Sequence, residues 1–203
     1  MFTGIFDPAF LQAASAHATP EPPVEENEIV IGTRTKPNTF PVALSCTGEI
    51  TVIYTAGGEQ QTKTFTDLVE ELLTGVIPDA NTNVKITGNV TYFQCGGPNS
   101  ACILSVDFSK CKTLTNLSGF QADWGTTLIM PNEDTSIIQC KEIELESVSI
   151  IKCKADNQIV CNGIAAAISY SNETGTLYTD STGAYYSTLE TAATAKGWTI
   201  EQL

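Results

Sequence analysis

From Asn81 onward the chain is built of short apolar runs cut by small polar residues, and that texture limits what it can become. "VKITG", "VTYFQC", "ILSVDFSKCKTLTNLSGF", "TTLIMP", "SIIQCKEIELES" and "SIIKCKADNQI" share one grammar, an apolar run, a polar break and another run. Brief runs of this kind bounded by Asn, Gly, Ser and Asp favour extended backbone. Taking Phe93, Leu117, Ile138 and Leu177 as equivalent gives spacings of 24, 21 and 39 residues, with the run at Ile151 inside the last interval. Spacing in the low twenties predicts a solenoid, in which each repeat buries its apolar side only against its neighbours.

The segment before it reads differently. "EIVIG", "FPVALSC" and "EITVIYTAGGEQQTKTF" are strand signals, and Gly57-Gly58 marks a hairpin turn between two β-runs. "TDLVEELLTG" then reads as a helix, with Leu68, Val69, Leu72 and Leu73 as its apolar stripe, Thr66 at its start and Gly75 at its end. Residues 29–80 are thus expected to form a small mixed α/β domain and residues 81–203 a repeat domain.

The last part supplies the end of the array. "NGIAAAISY" reads as a helix, "TGTLYTD" as a strand, and "STLETAATAKGWTIEQL" as a helix and a final strand. Ser187 with Glu190 forms a capping box, Leu189, Ala192, Ala193 and Ala195 offer a packing face, and Lys196-Gly197 stops the helix. The expected fold class is therefore α+β and β-rich: a small α/β unit, a degenerate solenoid, and a strand-helix-strand cap.

Composition narrows the partners. With 42% hydrophobic and 16% charged residues the 203-residue chain is a folded globular one. It carries 23 acidic and 10 basic residues, a formal charge of −13, which argues against nucleic acid, whose binding draws on basic patches and counterion release. No apolar stretch is long enough for a membrane span. The seven cysteines are odd in number and irregularly spaced, without the paired spacing of a zinc site, and several end apolar runs. They are expected to be reduced core residues of a chain folded in a cytoplasm.

No catalytic, cofactor-binding or metal-binding residues are predicted. The one histidine, His17, lies near the start, outside any expected core, which leaves no base for Ser-His-Asp or Cys-His chemistry. "NEDTS" and "KEIELES" read as solvated charges, and "NEDTS" lacks the spacing of a calcium loop. The six residues inside "CGGPNSAC" are unlike a redox C-x-x-C. Trp124, Tyr185 and Tyr186 are candidates for sugar or protein contact or for the core. A carboxylate-dependent glycan-processing activity is the minor enzymatic reading.

The first residues carry the candidate site. "MFTGIFDPAFLQAASAHA" has no Lys or Arg, and Asp7 and Pro8 interrupt its apolar run, so it reads poorly as a secretory signal. It reads better as an apolar arm with a short helix over residues 8–18, set off by the stiff Pro/Glu spacer "TPEPPVEENE". Residues 1–28 are then an anchoring arm and linker, and Phe2, Ile5, Phe6, Phe10 and Leu11 are expected to be buried against a partner.

"VKITGNVTYFQC", "LSVDFSKCKTLTNLSGF", "IIKCKADNQI" and above all "IAAAISYSNETGTLYTDSTGAYYSTLETAATAKGWTI" resemble the leucine-rich-repeat proteins of Bacteroidetes and their bacteriophages. Leu104, Val106, Asp107, Ser109, Cys111, Leu114 and Leu117 match the repeat, and Cys153, Asn157 and Ile159 match its Cys and Asn positions. The likeness covers roughly residues 84–203, and "GFQADWGTTLIMPNED" departs from it. It implies a curved, non-enzymatic domain for binding or display. Together with the arm it implies a virion structural protein of a crAss-like phage, such as a head fibre, capsid decoration or tail-associated protein, assembled in the host cytoplasm. Its partners would be other capsid or tail subunits and further copies of itself, a trimer by analogy with phage fibres, with a host-surface glycan as a further ligand. The alternative is an exported bacterial surface leucine-rich-repeat adhesion module.

Overall fold

The computed structural model describes residues 27–96, 100–121, 125–132, 136–144 and 146–203. The arm with Phe2, Ile5, Phe6, Phe10 and Leu11, most of the Pro/Glu spacer, His17 and Trp124 all lie outside the described residues.

Alternation sets the first strands. In β1 (Glu28–Thr33) Ile29 and Ile31 are fully buried while Glu28 and Val30 face outward, half-buried. The long β2 (Val42–Ala56) buries Val42, Leu44, Cys46, Ile50, Val52 and Tyr54. Gly57 and Gly58 then turn the chain with φ of 66° and 80°, and β3 (Glu59–Thr66) returns antiparallel from Ala56 to Glu49. Positive φ at both turn residues matches the twist of a two-residue hairpin, which explains the glycine pair.

The helix expected in "TDLVEELLTG" does not form. Asp67 and Glu70 have φ of 49° and 52°, outside the helical region, and β4 (Glu71–Leu72) pairs with Ala43 and Leu44 of β2. Cys46 N–H donates to Leu68 O at 3.0 Å, Leu73 N–H to Val42 O at 3.0 Å, and Glu70 N–H to Ser45 Oγ at 2.9 Å. β2 is longer than β3 can cover, so the chain keeps running along its open edge and satisfies its backbone there instead of locally. Only Leu73 of the presumed stripe is fully buried; Val69 is 73% exposed and Leu72 47%.

β5 (Asn83–Cys95) is the seam of the molecule. It pairs with β2 along most of its length, with β1 through residues 83–87, and with β7 (Asn116–Gln121) through Tyr92, Phe93 and Cys95. Gly88, at φ 124°, sits where these partners diverge, and a Cβ there would lie 2.9 Å from Glu49 O. One branch of the sheet continues from β1 to β6 (Ile103–Lys110), β8 (Thr127–Ile129), β10 (Ile150–Lys152), β11 (Thr176–Thr179) and β12 (Thr199–Gln202). The other continues from β7 to β9 (Gln139–Glu144), against which α1 (Gln158–Tyr170) packs, with α2 (Tyr186–Lys196) beside it.

From β6 onward the pairing is parallel, and the polar breaks hold successive passes of the chain together. Thr126 Oγ1 donates to Leu104 O at 3.3 Å, Ser149 Oγ to Thr126 O at 3.4 Å, Thr115 Oγ1 to Thr91 O at 2.8 Å and Ser136 Oγ to Leu114 O at 3.0 Å. Each hydroxyl donates to a carbonyl of the preceding pass, and at Leu104, Thr126 and Thr91 it adds a second kind of donor to an oxygen that already accepts a backbone N–H, so side chain and main chain fix the same step between passes.

The expected small α/β unit followed by a leucine-rich-repeat solenoid is therefore corrected. Of the described residues strand makes up 47% and helix 16%, and one mixed sheet of twelve strands includes both halves of the chain, because β5 shares its edges with antiparallel and parallel partners alike. The proposed equivalence of Phe93, Leu117, Ile138 and Leu177 also fails. Leu117 pairs with Phe93 and Cys140, Ile138 is 70% exposed, and Leu177 belongs to the other branch beside Ile151.

The end of the chain follows the expected order of helix, strand, helix and strand. Asn157 Oδ1 accepts from Ile159 N–H and Val160 N–H to cap α1, while its Nδ2 donates to Ile137 O at 2.9 Å. Gly197, at φ 72°, ends α2. The Ser187–Glu190 capping box is absent: α2 starts at Tyr186, with Tyr185 in the cap position and no side-chain cap bond. Leu189 and Ala193 are buried, whereas Ala195 is exposed. A single apolar cluster joins both branches and both helices, with Phe93 edge-on to Phe108 at 4.9 Å and tilted to Phe120 at 6.1 Å.

Candidate functional site

The branch that runs from β12 to β3 has one buried face and one open face. Its buried row is Ile200, Leu177, Ile151, Leu128, Val106, Ile31 and Val84, one residue per strand. All but Ile200 are 0% exposed. Because side chains alternate along a strand, the neighbouring positions face away from the core.

Those neighbours form a second row, which crosses all nine strands: Glu201, Tyr178, Lys152, Ile129, Asp107, Val30, Lys85, Ile53 and Thr62. Glu201 and Thr62 are exposed, and the seven between them are half-buried by one another. Lys152 Nζ stands 5.2 Å from the Tyr178 ring centroid, a cation–π contact between adjacent strands. Asp107 Oδ1 accepts from Ser109 N–H at 2.8 Å. A flanking row holds Thr199, Thr176, Ile150, Thr127, Ser105, Gly32 and Asn83. A Cβ on Gly32 would collide with Ser105 Oγ, so glycine lets its neighbours close over β1.

Beyond Lys85 the charge is concentrated at Glu28, which bridges Lys85 and Lys110, the latter at 3.2 Å. The hydrogen bond from Lys85 holds the Glu28 carboxyl below its ordinary range, against the opposing effect of burial, with Lys110 adding to it.

The remaining chemistry is muted. All seven cysteines are buried thiols. Burial pushes Cys95 and Cys111 upward and Cys102 to about 11, so these sulfurs stay protonated and poorly nucleophilic near neutral pH. Among the described residues no group of three or more His, Cys, Asp or Glu is placed to hold a metal ion. A shallow pocket between Met130, Lys152, Lys154 and Leu203 has room for about 40 Å³, far below the few hundred Å³ of a typical small-molecule site. Tyr185 and Tyr186 pack, partly buried, against the core. No helix of the described residues is long and apolar enough to cross a membrane.

Sequence reasoning missed this open face entirely. Each of "TLI", "IIK" and "LYT" gives it one or two residues, and only the pairing of distant strands brings them into a row. Comparison with protein-family models, with curated proteins and with solved structures finds no match.

Proposed function

We propose that this chain is a non-enzymatic interaction protein whose working surface is the open face of its sheet. One observation carries the reading: a continuous row of nine side chains on which, from Glu201 to Lys85, apolar groups alternate with charged ones, Lys152, Ile129 and Asp107 among them. A broad, shallow, mixed surface with a half-buried tyrosine at one side suits a macromolecular partner better than a small molecule. Replacing Tyr178 with the photo-cross-linker benzoylphenylalanine in the cells that produce the protein is expected to give one discrete adduct, identified by mass spectrometry. The same group at Val69, which is 73% exposed and is not one of the nine residues of the row, is expected to give none. No adduct at position 178, or equal adducts at both, overturns the reading.

A more specific reading makes the chain a structural component of a phage virion. It is supported by the apolar residues Phe2, Ile5, Phe6, Phe10 and Leu11 followed by the Pro/Glu spacer, a combination suited to docking on another subunit while holding the sheet away from it. Deleting residues 1–18 is then expected to abolish incorporation into particles. Recovery of the truncated chain in purified particles at the full-length ratio overturns the anchoring role.

A further inference from the structure

We infer that the partner of the open face is a second copy of the same chain, packed face to face about a two-fold axis that runs between the two sheets, parallel to β8 and over Ile129. The inference rests on the proposed use of that face, and it comes from the order of charges along the row. Rotation about an axis lying between two stacked sheets and parallel to the strands reverses the row, so positions equally far from the axis meet.

With the axis at Ile129, that residue meets its own copy. Lys152 on β10 meets Asp107 on β6, Tyr178 on β11 meets Val30 on β1, and Glu201 on β12 meets Lys85 on β5. Each of the four charges of the row finds an opposite one, Lys85 being shared between Glu201 of the other copy and its own Glu28, and each apolar side chain finds an apolar one. The flanking row agrees: Thr127 meets itself, Ile150 meets Ser105, Thr176 meets Gly32 and Thr199 meets Asn83, so the protruding Ile150 falls against a small residue and Thr176 against a glycine that adds no side chain of its own. Seven strands spaced about 4.8 Å apart give a strip roughly 30 Å wide, and face-to-face sheets stack about 10 Å apart, within reach of these side chains.

Other axis positions fit less well. An axis on β10 sets Lys152 against itself, and one on β6 sets Asp107 against itself and Lys152 against Lys85. An axis midway between β8 and β6 buries Asp107 against Ile129 and Lys152 against Val30. An axis on β1 joins Asp107 to Lys85 but leaves Lys152 facing Thr62 and Glu201 with no counterpart. Like-charge contacts and charges set against apolar groups are the unfavourable outcomes at an interface.

Sedimentation equilibrium of the full chain is expected to give a species of twice 21.7 kDa at concentrations up to about 100 µM. Lys152→Glu sets two like-charge pairs across the axis and is expected to raise the dimer dissociation constant by at least about tenfold. Adding Asp107→Lys to it exchanges the signs and is expected to restore the constant to within about threefold. An axis on β1 predicts no such restoration, because the cation introduced by Asp107→Lys would then face Lys85. Ile129→Lys, which sets two cations on the axis itself, gives an independent disruption, and circular dichroism checks that each variant keeps the wild-type fold. A wild-type chain that stays at 21.7 kDa, a trimer, or a double variant no better than Lys152→Glu overturns the proposal. The cross-linker at position 178 separates the two readings: an adduct of twice 21.7 kDa supports the dimer, an adduct with another protein overturns the dimer and keeps the binding face, and no adduct removes both.

Discussion

Replacing Phe93 with alanine is expected to lower the thermal unfolding midpoint by about 10 °C, because truncating a buried phenylalanine costs about 3–5 kcal/mol and each kcal/mol moves a domain of this size by roughly 2–4 °C. Phe93 is fully buried on β5, with its ring edge-on to Phe108 of β6 and tilted to Phe120 of β7. It thus touches both branches of the sheet at the point where they part. The cavity it leaves is flanked by strands already hydrogen-bonded on β5's two sides, to β2 and to β7, so the walls have little freedom to close over it. Differential scanning calorimetry measures the effect, with Val69→Ala, at a 73% exposed position, as the reference expected to shift by less than about 0.5 kcal/mol. A Phe93→Ala midpoint within about 3 °C of wild type refutes a core shared by both branches.

Gly163→Ala is expected to destabilise by about 1–3 kcal/mol, the opposite of what helix propensity alone predicts. An alanine in a helix interior is ordinarily about 1 kcal/mol better than glycine. Gly163, however, is buried on the face of α1 that lies against β9, and a Cβ there would sit 2.6 Å from Cys140 Sγ and 2.7 Å from Cys140 O. Overlap with a strand carbonyl cannot be relieved by a rotamer change, so helix and strand must separate and the contacts around them loosen. Combining Cys140→Ala with Gly163→Ala removes the sulfur but not the oxygen, and is expected to recover only part of the loss in urea denaturation. A stabilised single variant refutes the close approach of α1 to β9.

Several parts of the molecule were legible from local chemistry. Alternation marked β1 and β2, the Gly57-Gly58 pair marked the hairpin, and Gly197 marked the end of α2, since each depends on residues within a few positions of one another. The segment after Thr66 was not legible, because Leu68, Val69, Leu72 and Leu73 satisfy a helical period while the decisive influence, the uncovered edge of β2, is more than twenty residues away. The repeat was misassigned for a similar reason. The chain feeds two branches alternately, so an apolar run belongs to whichever branch its pass has reached, and Ile138 and Leu177 were matched across that divide. The predicted arm lies outside the described residues, and the open face is a product of register between strands that share no local pattern.

The position of β1 has a consequence for synthesis. Its two edges are covered by β5 and by β6, and Lys110 on β6 reaches back across 82 residues to Glu28. At ordinary translation speeds of about 5–20 residues per second, roughly four to fifteen seconds pass between the emergence of "EIVIGT" from the ribosome and the arrival of its last partner. Throughout that interval an apolar strand with an open edge is attached to a growing chain. The earliest of the described strands thus waits on a partner 82 residues further along, and during synthesis its apolar edge stays open to pairing with other nascent chains.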